Sequence, residues 1–200
     1  MSRRFTIDEH LIPRIENEIR DLASDCKWIP GLVLTADDFK CQLFLRLLRL
    51  PGADQSYQSE DGLWASPLHA EVPWFDKSHN LRLKPDITIT DPSRLRVLGP
   101  PKGHPRSKYF AFSGDSVLIE LKYCRREDSI SPHDVEIIRD DVQKIQLLID
   151  IALKRGSPKI YGVVAVLSRY PGRCAELQKL EDEVAAHQAI KLIVLPPITN

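Results

Sequence analysis

Three charged residues, Asp86, Glu120 and Lys122, lie in two stretches that are otherwise rich in strand-forming residues. The predicted strands cover residues 81–90 and 117–123. Side chains two apart on a strand share a face, so Glu120 and Lys122 should point the same way. Burying such charges is costly unless they have partners. If the two strands are neighbours, two carboxylates and one amine meet, and that set can hold a divalent cation and activate a water molecule.

The composition is that of a globular domain without a dominant charge. The 200 residues are 42% hydrophobic and 28% charged, which fits one domain with a full core. Because 28 basic residues balance 28 acidic ones, a nucleic acid would be bound through a local basic patch, a metal or a partner. The absence of a secretory signal and of a long apolar run predicts a cytoplasmic protein with no membrane partner. The four cysteines are far apart in sequence and are expected to be reduced thiols.

The spacing of apolar residues predicts the elements that position the charged side chains. In chain order we expect two helices, three strands, a helix, a strand, a helix and a last strand. The predicted strands are residues 69–75, 81–90, 117–123, 159–167 and 191–195. Three successive strands followed by strand–helix alternation predict an α/β fold, a three-layer α/β/α sandwich around a mixed β-sheet.

Two pairs of residues have the spacing of capping boxes, in which a hydroxyl and a carboxylate three residues apart start a helix. Thr6 and Glu9 predict the start of the first helix, and Thr35 and Asp38 predict the start of the second. Pro13 either kinks the first helix or marks its true start.

The chain is predicted to have one main domain, residues 35–200, after an N-terminal helical extension, residues 1–34. A connection of about residues 91–115, rich in proline and basic residues, is inserted between two of the strands. A connection of this length is either functional or a linker. Its basic side chains could therefore contact a phosphate backbone, or the segment could have no fixed structure.

The order of these elements, with Pro-Asp on one strand and Glu-x-Lys on the next, resembles the PD-(D/E)xK nuclease superfamily, which has the restriction-endonuclease-like fold. The resemblance covers about residues 35–168. It implies a Mg²⁺-dependent endonuclease, able to use Mn²⁺, that hydrolyses phosphodiester bonds in DNA. By position, Asp86 and Glu120 would be metal ligands, Leu121 would add its backbone carbonyl, and Lys122 would orient the attacking water. The competing interpretation is a structural ion pair between Lys122 and one of the acids.

The resemblance also implies a further acid at the site, for which the sequence offers two candidates. Glu71 precedes Asp86 by one predicted strand and is expected to be catalytic, although it could face the surface. Asp38 lies at the start of the second helix and could instead be only a capping residue. Gln42 occupies the mid-helix position at which an acid would be expected, and an amide is a poor metal ligand.

Several basic residues are candidates for contacts with nucleic acid. Arg125 and Arg126 follow Lys122 closely and are predicted to meet phosphate near the cut. Lys144, on the helix after the Glu-x-Lys strand, is a third candidate. The other polar residues of that helix, including Asp141, are expected to form a solvated charged face.

Two alternatives to an active enzyme remain open at the level of sequence. The neutral charge and the missing mid-helix acid also fit a catalytically inactive or partner-dependent nuclease-fold module in a larger nucleic-acid-processing complex. Homodimers and larger complexes are both expected forms. An unrelated α/β binding protein would require Asp86 and Glu120 to lie too far apart for one metal to bridge.

Overall fold

A computed structural model describes residues 5–75, 81–97, 110–112, 114–125, 130–153 and 159–198. In these ranges the helices are α1 (Leu11–Trp28), α2 (Ala36–Leu47), α3 (Pro132–Leu153) and α4 (Ala175–Ala185). The strands are β1 (Tyr57–Gln58), β2 (Trp64–Ala65), β3 (Leu68–Ala70), β4 (Trp74–Phe75), β5 (Leu81–Leu83), β6 (Ile87–Thr90), β7 (Leu95–Val97), β8 (Phe110–Phe112), β9 (Ser116–Cys124), β10 (Ile160–Ser168) and β11 (Ile190–Val194).

The main sheet has five strands in the order β11-β10-β9-β6-β3. Strands β3, β6 and β9 are antiparallel neighbours, whereas β9, β10 and β11 are parallel. Parallel neighbours need crossover connections, and α3 and α4 supply them. The predicted α/β class and mixed sheet are therefore confirmed, and the arrangement is compatible with an α/β/α sandwich.

Alternation along β9 divides the buried side chains into two cores. Ile119 and Leu121 belong to the core that includes the apolar faces of α1 and α2. Leu118 belongs to the core formed with α3 and α4. Glu120 and Lys122 share the face of Leu118, because they are two and four residues along the strand. The charged pair therefore points toward the side of the sheet that α3 covers.

The second helix begins as its sequence predicts. The Thr35 hydroxyl accepts a hydrogen bond from the Asp38 N–H at 3.0 Å, and the Asp38 carboxylate accepts one from the Thr35 N–H at 2.9 Å. Helix α2 starts at Ala36, directly after this capping box.

The first helix begins later than its sequence predicts. Its N-cap is His10, which makes no side-chain capping bond, so the capping box predicted from Thr6 and Glu9 is wrong. Pro13 falls in the first turn of α1, where a missing N–H removes no hydrogen bond of the helix. The proline thus marks the true start. The buried face of α1 joins the same core as α2.

Two predicted strands are interrupted in the structure. The strand predicted over 69–75 is divided into β3 and β4, and the strand predicted over 81–90 is divided into β5 and β6. Among the described residues, strands β4 and β5 pair with each other and not with the main sheet. Pro85 lies between β5 and β6 and has no N–H to donate to a ladder, which explains the second break.

The insertion at 91–115 is partly structured. A short 3₁₀ turn over Pro92–Arg94 leads into β7, and β7 pairs with β8 as a small antiparallel sheet of its own. Residues 98–109, which carry most of the predicted basic side chains of this segment, lie outside the described residues.

All four cysteines are free thiols, as expected from their separation in sequence. Along the described parts of the chain, no helix has both the length and the apolar character to cross a bilayer.

Gly162 allows α3 to pack closely against the middle of the sheet. A Cβ atom added at this position would lie well inside van der Waals contact with Cγ2 of the buried Ile145. We predict that Gly162→Ala lowers the free energy of unfolding by about 1–3 kcal/mol, because either the helix or the Ile145 rotamer must shift. Urea denaturation measures this change. Gly31→Ala is the matched control, since no heavy atom would lie within 4 Å of its Cβ; equal stability of the two variants would contradict the packing argument.

Candidate functional site

Asp86 meets β9 directly beyond the end of the β6–β9 ladder. The register pairs Ile87 with Ile119, so one further residue on each strand sets Asp86 opposite Glu120. The Asp86 carboxylate also accepts a hydrogen bond from the Leu121 N–H at 2.9 Å. The two strands and this bond fix the Asp86 side chain against the backbone of β9.

Glu120 is a buried acid among other acids. It is 7% exposed and lies opposite Asp86. Burial raises the pKa of Glu120 to about 8, and the nearby charges of Asp141 and Asp86 act in the same direction. Lys122 opposes the shift only in part. The group therefore holds a proton near neutral pH unless a cation neutralises the cluster.

Lys122 is bound to an acid on α3. Its Nζ lies 2.6 Å from the Asp141 carboxylate, whose side chain is 8% exposed. Burial alone would lower the pKa of Lys122, but the bond to Asp141 and the charges of Glu120 and Asp86 raise it overall. Lys122 is therefore an ammonium group, and it cannot serve as a general base at neutral pH.

The prediction that Asp141 lies on a solvated face is wrong. Asp141 is three residues after Ile138 and four before Ile145, and both of those side chains are fully buried. Residues at these spacings share one face of a helix, so the buried stripe itself was the signal that could have identified Asp141. Its neighbour Asp140 is exposed.

Lys144 reaches the same acid from one turn further along α3. Its Nζ lies 3.2 Å from Asp141, and its side chain is 48% exposed. Asp141 therefore joins a half-buried ammonium, Lys122, to one that is open to solvent. The contact of Lys144 with an incoming phosphate stays a prediction.

Glu71 lies beside Asp86 in the backbone, but its carboxylate is held elsewhere. The Glu71 N–H donates to the Asp86 carbonyl at 3.1 Å. Its carboxylate binds Lys40 Nζ at 2.6 Å and also binds Lys84. These two hydrogen bonds lower the pKa of Glu71 to about 2. In the described contacts Glu71 is thus a partner of two lysines, whereas Asp86, Glu120 and Asp141 form the carboxylate cluster.

Lys40 is a charged residue near the site that the sequence analysis did not identify. It lies on α2, and its pKa is raised first by the hydrogen bond to Glu71, with a smaller contribution from the charge of Asp86. Its side chain is largely buried. A lysine within an amphipathic helix is usually part of the solvated face, so no pattern in the sequence distinguishes Lys40.

The remaining candidates lie on other parts of the molecule. The Asp38 carboxylate is occupied by the capping box of α2, and Gln42 is half-buried on the same helix. The Arg125 guanidinium lies over the Tyr123 ring, 6.0 Å from its centre, on an exposed position. Arg126 lies outside the described residues.

The implied Mg²⁺ can be compared with the donors that the site offers. In the described segments no three or more His, Cys, Asp or Glu side chains form a group that could hold a metal. Mg²⁺, however, is usually bound by one or two carboxylates and keeps several waters, so a cage of protein ligands is not required. Asp86 and Glu120 would supply the two carboxylates, and the Leu121 carbonyl would be a third oxygen. The crowding of acids around the buried Glu120 fits a cation, which would relieve their mutual repulsion.

The raised pKa of Glu120 predicts a pH-dependent stability of the metal-free protein. The unfolded chain releases this proton near pH 4.5, the ordinary pKa of a glutamate, but the folded protein retains it until about pH 8. Between these values the folded state binds more protons, so stability falls as pH rises, by about 1.4 kcal/mol per pH unit at most. We predict that Glu120→Gln lacks this part of the decline and exceeds the wild type in stability at pH 8. Urea denaturation with EDTA from pH 5 to 8.5 measures it; parallel curves would contradict the assignment.

The Asp141–Lys122 bond predicts a coupled titration. We expect Asp141→Asn to lower the pKa of Lys122, because the cost of burying the ammonium is then less well offset. Lysines carrying ¹³C-methyl labels can be titrated by NMR, with Lys122→Arg identifying the signal. Asp140→Asn, at the exposed neighbouring position, is the control and should leave the signal unchanged. An identical pKa of Lys122 in the wild type, Asp141→Asn and Asp140→Asn would rule out the coupling.

No protein-family model matches the chain, and no curated protein or solved structure matches it significantly. Asp86 and Glu120 lie at opposing positions of neighbouring strands, and Lys122 shares the face of Glu120 and binds Asp141 of α3.

Proposed function

We propose that the chain is a Mg²⁺-dependent endonuclease that hydrolyses phosphodiester bonds, with DNA as the substrate. One observation carries the proposal: the β6–β9 register sets Asp86 opposite Glu120, and Lys122 extends from the same face as Glu120, two residues along. The proposal includes membership of the PD-(D/E)xK superfamily and its restriction-endonuclease-like fold. It is supported by the antiparallel β3-β6-β9 unit, the crossover through α3, and the positions of Asp86 and Glu120 at the end of one ladder.

The two acids would bind the cation through their carboxylates. Mg²⁺, when bound, would polarise the scissile phosphate and acidify a water molecule. Glu120 must lose its proton before it can act as a ligand, so binding would release a proton to solvent. The hydrogen bond from the Leu121 N–H holds Asp86 in place throughout.

Lys122 would act as a fixed positive charge. Its bond to Asp141 keeps it protonated, so it would orient the attacking water and stabilise negative charge that develops on the phosphate oxygens. Lys144 would contact the phosphate backbone from the solvent side, because it reaches Asp141 from an exposed position.

The activity is tested by incubating plasmid and single-stranded DNA with Mg²⁺ or Mn²⁺. We expect cleavage by the wild type and a decrease of at least about 10²-fold in Asp86→Asn, Glu120→Gln and Lys122→Met, because each removes a charge that acts on the reacting groups. Asn at position 86 retains an oxygen that can accept the Leu121 hydrogen bond, which keeps this variant close to the native fold. Asp140→Asn and Lys179→Met, both at exposed positions, are matched controls. Cleavage at the wild-type rate by the three site variants would refute the proposal.

The alternative is a partner-dependent or inactive module with the same fold. The ion pair between Lys122 and Asp141 and the small number of carboxylate ligands favour it. Calorimetric titration of the isolated chain with Mn²⁺ distinguishes the two functions. Saturable binding that Asp86→Asn abolishes supports the enzyme, whereas no binding together with no cleavage supports the module.

A further inference from the structure

We propose that Lys40 and Lys84 form a binding site for a phosphodiester group of the nucleic acid beside the cleavage site, and that Glu71 occupies this site in the free protein. The inference rests on the proposed function and extends it to the binding of substrate. It gives Glu71 a role in competing with a phosphate rather than in holding a metal.

Two ammonium groups from different elements converge on one carboxylate. Lys40 comes from α2 and binds Oε1 of Glu71, and Lys84 comes from the segment between β5 and β6 and binds Oε2. Phosphodiester and carboxylate groups each carry a single negative charge shared between oxygens that accept hydrogen bonds. Two lysines that surround one such group can surround the other.

The cluster is open to a ligand. The side chains of Lys84 and Glu71 are 50% and 44% exposed, so the carboxylate can move aside into solvent. Lys40 is only 17% exposed and is therefore the fixed part of the pair. Asp37 also lies 3.2 Å from Lys40, but it is 85% exposed and solvent screens its charge.

The backbone holds Glu71 in an unusual conformation next to the candidate metal ligands. Its φ of 54° lies in the left-handed region, which residues other than glycine adopt uncommonly. Such conformations persist when surrounding interactions fix them, and they are frequent at functional sites. Here the Glu71 N–H is tied to the carbonyl of Asp86. This backbone conformation directs the Glu71 carboxylate toward Lys40 and Lys84. The hydrogen bond of its N–H keeps Glu71 beside Asp86.

The location relative to the carboxylate cluster indicates which phosphate would bind. Glu71, which binds both lysines, donates its N–H to the Asp86 carbonyl at 3.1 Å. Lys84 precedes Asp86 by two residues. A nucleic acid whose scissile phosphate lies at Asp86 and Glu120 would therefore place a neighbouring phosphate of the same strand near the two lysines.

The test measures binding of a short fluorescein-labelled DNA duplex, and of its single strand, by fluorescence anisotropy with EDTA present to prevent cleavage. We expect Lys40→Ala and Lys84→Ala each to weaken binding several-fold and to reduce the slope of log affinity against log salt concentration by about 1. We expect Glu71→Gln to strengthen binding, because the internal competitor loses its charge.

A double-variant comparison separates competition at this site from a general effect of charge. Glu71→Gln should strengthen binding in the wild type but not in the Lys40→Ala, Lys84→Ala background. Lys179→Ala and Glu181→Gln on α4 are controls, because α4 packs at β11, the edge of the sheet opposite to β3. Thermal unfolding of each variant confirms that the fold is intact.

Unchanged affinity and salt dependence in both lysine variants would overturn the proposal, as would a gain from Glu71→Gln that persists without the lysines. Failure of this inference is distinguishable from failure of the proposed function. Cleavage that depends on Asp86 but not on the lysines would retain the nuclease and remove the phosphate site. DNA binding that depends on the lysines, with no cleavage in the presence of Mg²⁺ or Mn²⁺, would retain the phosphate site and remove the nuclease.

Discussion

The antiparallel register between β6 and β9 is the constraint on which the rest of the candidate site depends. Its last pair is Ile87 with Ile119, and it sets Asp86, the next residue, opposite Glu120. A shift of one residue would turn Glu120 and Lys122 into the core of α1 and α2 and bring Leu121 to the other face. The close apolar packing on both faces of β9 prevents such a shift.

The same register places the acids Asp86 and Glu120 next to each other, and interactions with neighbouring groups stabilise them. Glu120 retains a proton, Lys122 is drawn to Asp141, and Asp86 takes a backbone hydrogen bond. Each response lowers the cost of burying charge at this place. The proposed enzyme requires that a cation replace the proton of Glu120.

Local sequence patterns predicted those elements whose structure depends on neighbours in the chain. The capping box of Thr35 and Asp38 and the apolar strand β10 are examples. The patterns failed where a distant partner decides. Residues 69–75 read as one strand, but β3 pairs with β6 whereas β4 pairs with β5, so the chain must bend between them at Glu71. No periodicity within those seven residues records that change of partner.

Strand alternation and helix spacing are local properties, so the order of residues predicted the α/β class, the order of the main elements and the shared face of Glu120 and Lys122. Which charged groups meet is a property of the folded chain. Asp141 reaches Lys122 because α3 crosses over β9, and Lys40 meets Glu71 because α2 packs near the end of β3. These pairs are 19 and 31 residues apart in the chain. Their contacts depend on how separate elements pack, which spacing along one element cannot express.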